Sequence, residues 1–429
     1  MNLHDRKTRA CLAAAVLICI LLILLPHKGA RKQKAEPTQG INAVITNEMS
    51  DTASLAKLDR DIRYFMQKWQ IRGLELSILR NDSLVYAKGY GLADQFSGEE
   101  MTPGHIMRVA SVSKLITAAG IMKLVETGKL SLAEKVFAPG GVLSDTLFTN
   151  HITDKGYYDI TVEQLLRHEA GLSIRRGDPM FTTRDIMNIY HLKEAPDAAT
   201  LTSLAVRRRL GYTPGKGHEY SNFGYLLLSM IIERVGGCDY EEWMQENVLK
   251  PAGCLDMHLA HNSFEEKYPN EVRYHMQDND PKVPAYDNSA DSVVRCYGGN
   301  DIRALKGAGA WVCSASELAR FVASIDARPQ VPDILGKKSI REMTMYTEEH
   351  KFGLGWNDTN PLKGWLRTGS ISGTSAYVMY YPDGECWILI SNTHNWKGPR
   401  FSRTLHNFVR QCKDRYDAAI PARDLFELI

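Results

Sequence analysis

The order in which backbone periods follow one another along this chain leaves few folds open. Two β-rich runs, residues 74–79 and 84–90, stand near the start, separated by Asn81-Asp82, residues that tolerate tight-turn geometry. Two more, residues 375–381 and 385–390, stand near the end, joined by Pro382-Asp383-Gly384, where proline presets one dihedral and glycine relaxes another. Between them lie about 200 residues of helical period and loop, including 111–127, 162–167 and 225–234. Leu55, Leu58, Ile62, Phe65, Met66 and Trp69 recur at three- and four-residue steps ahead of the first strands, and residues 400–412 form a closing helix. This pattern predicts an α+β fold: one antiparallel sheet built from both chain ends, flanked by helices, with a mostly helical subdomain inserted at about residues 100–300.

The first 30 residues stand apart. An apolar run over residues 10–25, preceded by Arg6, Lys7 and Arg9 and stopped by Pro26, reads as a membrane anchor or an export signal. No small-x-small cleavage site follows Leu25, so an uncleaved anchor is expected. Residues 31–51 are polar and lack a hydrophobic period, which predicts a linker, and folding is expected to begin near Thr52 and run to residue 429. Residues 1–36 carry seven Lys/Arg against two acids, a net of +5, so the rest carries −3 of the overall +2. A domain with that balance lacks the basic footprint of a nucleic-acid binder. Two of the eight cysteines lie in the apolar run; Cys238, Cys254, Cys296, Cys313, Cys386 and Cys412 do not have zinc or redox spacing. They are read as buried thiols, with disulfide pairing left open.

Three short elements carry candidate chemistry. Ser111-Val112-Ser113-Lys114 opens an almost wholly apolar helix. Residues three apart share a helix face, so Lys114 can reach the Ser111 hydroxyl, and a desolvated lysine loses its proton near neutrality. That makes Ser111 a candidate nucleophile with Lys114 as its base, helped by the helix N-terminus. The same spacing at Ser54 and Lys57 lacks the apolar setting. Tyr220-Ser221-Asn222 stands between the turn at Pro214-Gly215 and a buried helix. Tyr220 is a candidate proton shuttle, and Asn222 a candidate partner for a substrate amide. Tyr268-Pro269-Asn270 and Tyr286-Asp287-Asn288 repeat the pattern in polar loop with no helix behind them. In Arg367-Thr368-Gly369-Ser370, a strand edge would offer the Ser370 N–H as one oxyanion donor beside that of Ser111. Arg367 would face a substrate carboxylate, and Gly369 would allow close approach. Thr368 completes the substrate-binding set. There is no G-x-S-x-G elbow and no H-E-x-x-H helix, and His168 reads as a turn support.

Taken in order, Ser-x-x-Lys, Tyr-x-Asn and basic-Thr-Gly resemble the serine β-lactamase and penicillin-binding-protein superfamily, in its class C and esterase branch. Further stretches carry the likeness: residues 108–114, 165–172, 212–215, 309–311 with 316–318, and 352–356. The resemblance implies a sheet with a helical subdomain and a cleft between them, acylation of Ser111 aided by Lys114 and Tyr220, then hydrolysis by water. No metal or organic cofactor is implied. Substrates would be D-amino-acid peptides, muropeptides or small esters. A true β-lactamase and a non-catalytic ligand-binding or sensor domain of the same fold stay open. With the apolar head, it also implies a bacterial membrane protein whose catalytic domain is extracytoplasmic. Arg367 departs from the family's usual lysine or histidine, and Glu169-Ala170 from its usual Thr-Ser.

Overall fold

The computed structural model describes residues 40–175, 177–350 and 352–429, and Gly40–Ile429 form one compact unit. Among the described residues the alternating runs become strands β1 (Gly73–Arg80), β2 (Ser83–Asp94), β3 (Glu99–Glu100), β4 (Met107–Arg108), β5 (His258–Leu259), β6 (Trp311–Cys313), β7 (Trp365–Ile371), β8 (Thr374–Tyr380) and β9 (Glu385–Ser391). The main sheet has the order β3-β2-β1-β9-β8-β7, antiparallel throughout. The two chain ends meet where β1 pairs with β9, from Leu74 opposite Ser391 to Arg80 opposite Glu385. Asn81 and Asp82 turn the first hairpin with φ of 50° and 67°, the left-handed pair that matches strand twist. The fold is α+β, as the order of periods predicts.

Period-two alternation gives the sheet two different cores. Leu74, Leu76, Ile78, Tyr377, Met379, Trp387 and Leu389 face helix α1 (Ala56–Trp69). Their neighbours in the strands, Leu79, Ala376, Val378, Ile388 and Ile390, belong to the larger core. That core holds α2 (Ser113–Glu126), α3 (Asn222–Gly236) and α4 (Ala315–Ala323). The closing helix α5 (Phe401–Tyr416) lays Phe401, Leu405 and Val409 on the α1 side. Each fully buried large side chain contributes roughly 1.5–3 kcal/mol. The inserted block contains a second small sheet, β4-β6-β5, beside its helices. Its central element is α2, buried continuously from Ser113 to Met122 with no polar face.

Three expectations need correction or completion. The stretch read as a linker joins the fold from Gly40 on: Ile41 and Ile45 are buried in the larger core, and Asn42 donates to Asp256 and accepts from Ser314. Two apolar residues four apart, one opening a single helical turn and the other capping it, are enough to dock a segment too brief to show a period. Ile45→Ala is expected to lower stability by about 2–5 kcal/mol, measured as a shifted denaturation midpoint at unchanged slope. The membrane anchor, the membrane as partner and the extracytoplasmic location are corrected: among the described residues no helix is long and apolar enough to cross a membrane. The apolar run at 10–25 lies outside the described residues. A span needs about 20 apolar residues, whereas α5 has 16 and carries Arg403, Arg410, Lys413 and Asp414. The six cysteines of the described chain are free thiols, five of them buried.

Candidate active site

Ser111 sits in a tight 3-10 turn, Ala110–Val112, that feeds α2. Ala110 holds φ of 48°, a left-handed conformation that costs a non-glycine residue about 1–3 kcal/mol and here aims the next side chain outward. Strand β7 lies directly over this turn. A Cβ at Gly369 would fall 2.1 Å from the Val109 carbonyl oxygen and 3.0 Å from the Ser111 nitrogen, so only glycine allows the approach. Lys114, the second residue of α2, is fully buried. Its ammonium donates to Ser111 Oγ at 3.4 Å, to Asn222 Oδ1 at 2.7 Å and to the Ala308 carbonyl.

The second element arrives at the start of α3, where the Ser221 hydroxyl accepts from the Gly224 N–H as the helix cap. Capping fixes the residues on either side, and the Tyr220 hydroxyl donates to Ser111 Oγ at 2.8 Å. His168 supports this junction: its Nδ1 accepts from the Ser221 N–H at 3.2 Å and its ring lies 4.4 Å from that of Tyr220. Burial, reinforced by the Lys114 and Arg367 charges, holds His168 well below the usual histidine range, so it is neutral.

Arg367 takes a different place from the one expected. It is fully buried, and it donates from Nε to the Ser111 carbonyl at 2.7 Å and from Nη2 to the Tyr220 oxygen at 3.3 Å. Successive residues of a strand point to opposite faces, so the Arg367 and Thr368 side chains lie on opposite faces of β7. Arg367 shares its face with Gly369, toward the nucleophile turn. Thr368 lies on the other face, with its N–H (2.8 Å) and hydroxyl (3.2 Å) both donating to Asn357 Oδ1. The guanidinium therefore lies against the Ser111 turn and Tyr220 and is not among the residues that line the cleft.

These charges set the acid–base state of the site. Burial brings the Lys114 ammonium down to about 8, against the pull of Tyr220 and with the help of Arg367. Burial alone would raise the Tyr220 phenol, but the Lys114 and Arg367 charges outweigh it and bring it down to about 8 as well. Ser111 thus touches two groups that exchange protons near neutrality. The cleft in front measures about 490 Å³ and is lined by Ser111, Tyr220, Asn222, Thr368, Gly369 and Ser370. Asn357, Asn300, Phe181, Ile371, Pro399, Ser402 and Leu405 also line it, with Ser372, Ser375 and Gly398.

The structure therefore brings Ser111, Lys114, Tyr220, Asn222, Thr368, Gly369 and Ser370 together, with Arg367 buried behind the Ser111 turn. Asn357, the Ala308 carbonyl and Asp178 escaped the reading of the sequence. Asp178 accepts from Asn222 Nδ2 at 2.8 Å, and its only local signal is Asp-Pro at the start of a short turn.

The family model for Beta-lactamase matches residues 58–409. The chain belongs to the Beta-lactamase family. This Beta-lactamase-family chain is 26% identical over 352 residues to Protein flp of Staphylococcus aureus (strain N315), an alignment covering 79% of this chain and 62% of that protein. It thus spans less than two thirds of that relative's length. It is 25% identical over 235 residues to a putative D-alanyl-D-alanine carboxypeptidase of Escherichia coli (strain K12), covering 52% of this chain and 50% of the other. Its fold is similar to that of the D-amino acid amidase from Ochrobactrum anthropi SV3, with a TM-score of 0.61 and 22% identity over 85% of this chain and 99% of that one. Family and neighbours support a serine hydrolase in general and leave the substrate open.

Proposed function

We propose that this protein is a serine acyl hydrolase that opens an ester or amide through an acyl-enzyme on Ser111. The observation that carries the reading is one oxygen with two proton-exchanging neighbours, Tyr220 at 2.8 Å and Lys114 at 3.4 Å, at the wall of an open cleft. As Ser111 Oγ bonds to the acyl carbon, its proton passes to the Lys114 amine. The N–H groups of Ser111 and Ser370 hold the oxyanion. Tyr220 gives its proton to the departing nitrogen or oxygen as that bond breaks, and the Lys114 ammonium restores it. Water then attacks the acyl carbon, and Ser111 recovers its proton. Asn222 retains one N–H toward the cleft for a substrate carbonyl. Arg367, the departure on which a non-catalytic reading rests, supports catalysis instead: a permanent cation against Tyr220 favours the phenolate.

For the substrate, a D-amino-acid peptide, a muropeptide or a small ester fits best. The relatives named for D-alanyl-D-alanine and D-amino acid substrates favour the first two, and a wall of hydroxyls and amides with Ile371 and Leu405 suits an acyl group of mixed polarity. Incubation with a fluorophosphonate is expected to add one adduct, on Ser111 by peptide mass spectrometry, and Ser111→Ala to abolish it. A chain left unmodified by fluorophosphonate and penicillin alike would refute the reading. Parallel assays with D-alanyl peptides, p-nitrophenyl acetate and nitrocefin then rank the substrate classes, with nitrocefin expected last.

A further inference from the structure

We propose that Asp178 is a positioning residue for Lys114, acting through Asn222; the inference rests on the serine-hydrolase reading above. A neutral amine has two N–H bonds and one lone pair. Lys114 donates to three partners, and one of them, the Ala308 carbonyl, can only accept. With Asn222 Oδ1 as a second acceptor at 2.7 Å, both N–H bonds are engaged and the lone pair is left facing Ser111 Oγ. Rotating the Asn222 amide by half a turn would present its NH₂ to the lysine, where it would donate into that lone pair and occupy the base.

Nothing in the lysine's own surroundings prevents this rotation; Asp178 does. An ionised carboxylate only accepts, so the NH₂ of Asn222 must face it, and Oδ2 receives that N–H at 2.8 Å. The carboxylate is itself fixed, because Asp178 caps the turn Pro179–Phe181 and its Oδ1 accepts from the Met180 N–H at 3.0 Å. The relay Asp178, Asn222, Lys114, Ser111 therefore converts the fixed charge of a loop residue into the orientation of the base. Its charge also opposes that of Arg367 across the lysine. The other groups facing Lys114 are Tyr220, Tyr225 (ring centroid 5.4 Å away) and the neutral His168.

The test is the rate at which a fluorophosphonate modifies Ser111 as a function of pH, in the full chain. Asp178→Asn keeps an acceptor for the Met180 N–H but no longer dictates which way the Asn222 amide points. Its plateau rate is expected to fall about tenfold to a hundredfold. With the negative charge gone the ammonium is less favoured, so the acid limb of the profile is expected to move to lower pH. A change in folding alone would reduce the active fraction and leave the limb in place. In an Asn222→Ala background, where the relay is already cut, Asp178→Asn is expected to have little further effect on the plateau. An unchanged plateau and limb in Asp178→Asn, or an undiminished loss in the Asn222→Ala background, would overturn the inference alone. A wild-type chain that the probe never modifies would overturn the hydrolase reading and this inference with it.

Discussion

Lys114→Met is expected to slow acylation of Ser111 by about a thousandfold or more, because a positioned base contributes two to four orders of magnitude and residues acting as one unit fail together. Single-turnover labelling measures this without deacylation intervening, and a loss of less than tenfold would mean that Tyr220 alone serves as base. Wild-type acylation should climb through pH 7 with its midpoint near 8, where the lysine and tyrosine that touch Ser111 exchange protons. The same shift affects stability, with a sign opposite to that of a salt-bridged lysine. The unfolded chain keeps the Lys114 proton to about pH 10.5 and the folded chain loses it near 8. Between those limits the unfolded state binds more protons, so wild-type stability rises with pH. Lys114→Met lacks this term, and the gap between the two stability profiles should change in favour of the wild type across the interval. Denaturation midpoints at pH 7.5 and 10.5 would measure it.

Gly369→Ala is the second large expected effect. The added methyl would stand 2.1 Å from the Val109 carbonyl oxygen, a contact with backbone on both sides that no side-chain rotation relieves. Strand β7 must therefore lift from the nucleophile turn, carrying the Ser370 N–H away from the place where the oxyanion forms. Loss of one such donor lowers kcat about a hundredfold to a thousandfold, and the overpacking should also cost about 1–3 kcal/mol of stability. Steady-state hydrolysis of p-nitrophenyl acetate together with a thermal melt separates the two effects. A variant that melts earlier but turns over at the wild-type rate would show that β7 supplies no donor.

Much of this architecture can be read from residue order because the relevant signals are periodic. Leu74, Leu76 and Ile78 alternate with Glu75 and Ser77, and that alone assigns each to a face. The unbroken apolar setting of Lys114 distinguishes it from Lys57, which an exposed helix face leaves in water. Contacts made by loops carry no period. Asp178 meets Asn222 across 44 positions from a three-residue turn, and Asn357 reaches Thr368 from an irregular stretch. Ile41 and Ile45 dock a segment whose flanks are mostly polar and which is too short to show a period, so composition hid it. Arg367 was misplaced for a different reason: strand alternation, applied one residue further, already turns it away from Thr368.

The pairing of β1 with β9 also has a consequence for how the protein is made. The nucleophile leaves the ribosome more than 250 residues ahead of the strand that overlies it, as the Arg367 bond to the Ser111 carbonyl requires. Until β7 emerges, the Ser111 turn has neither the Arg367 guanidinium against its carbonyl nor the close approach of Gly369. A chain stopped before β7 would lack both the Arg367 guanidinium and the backbone that Gly369 brings against the Ser111 turn.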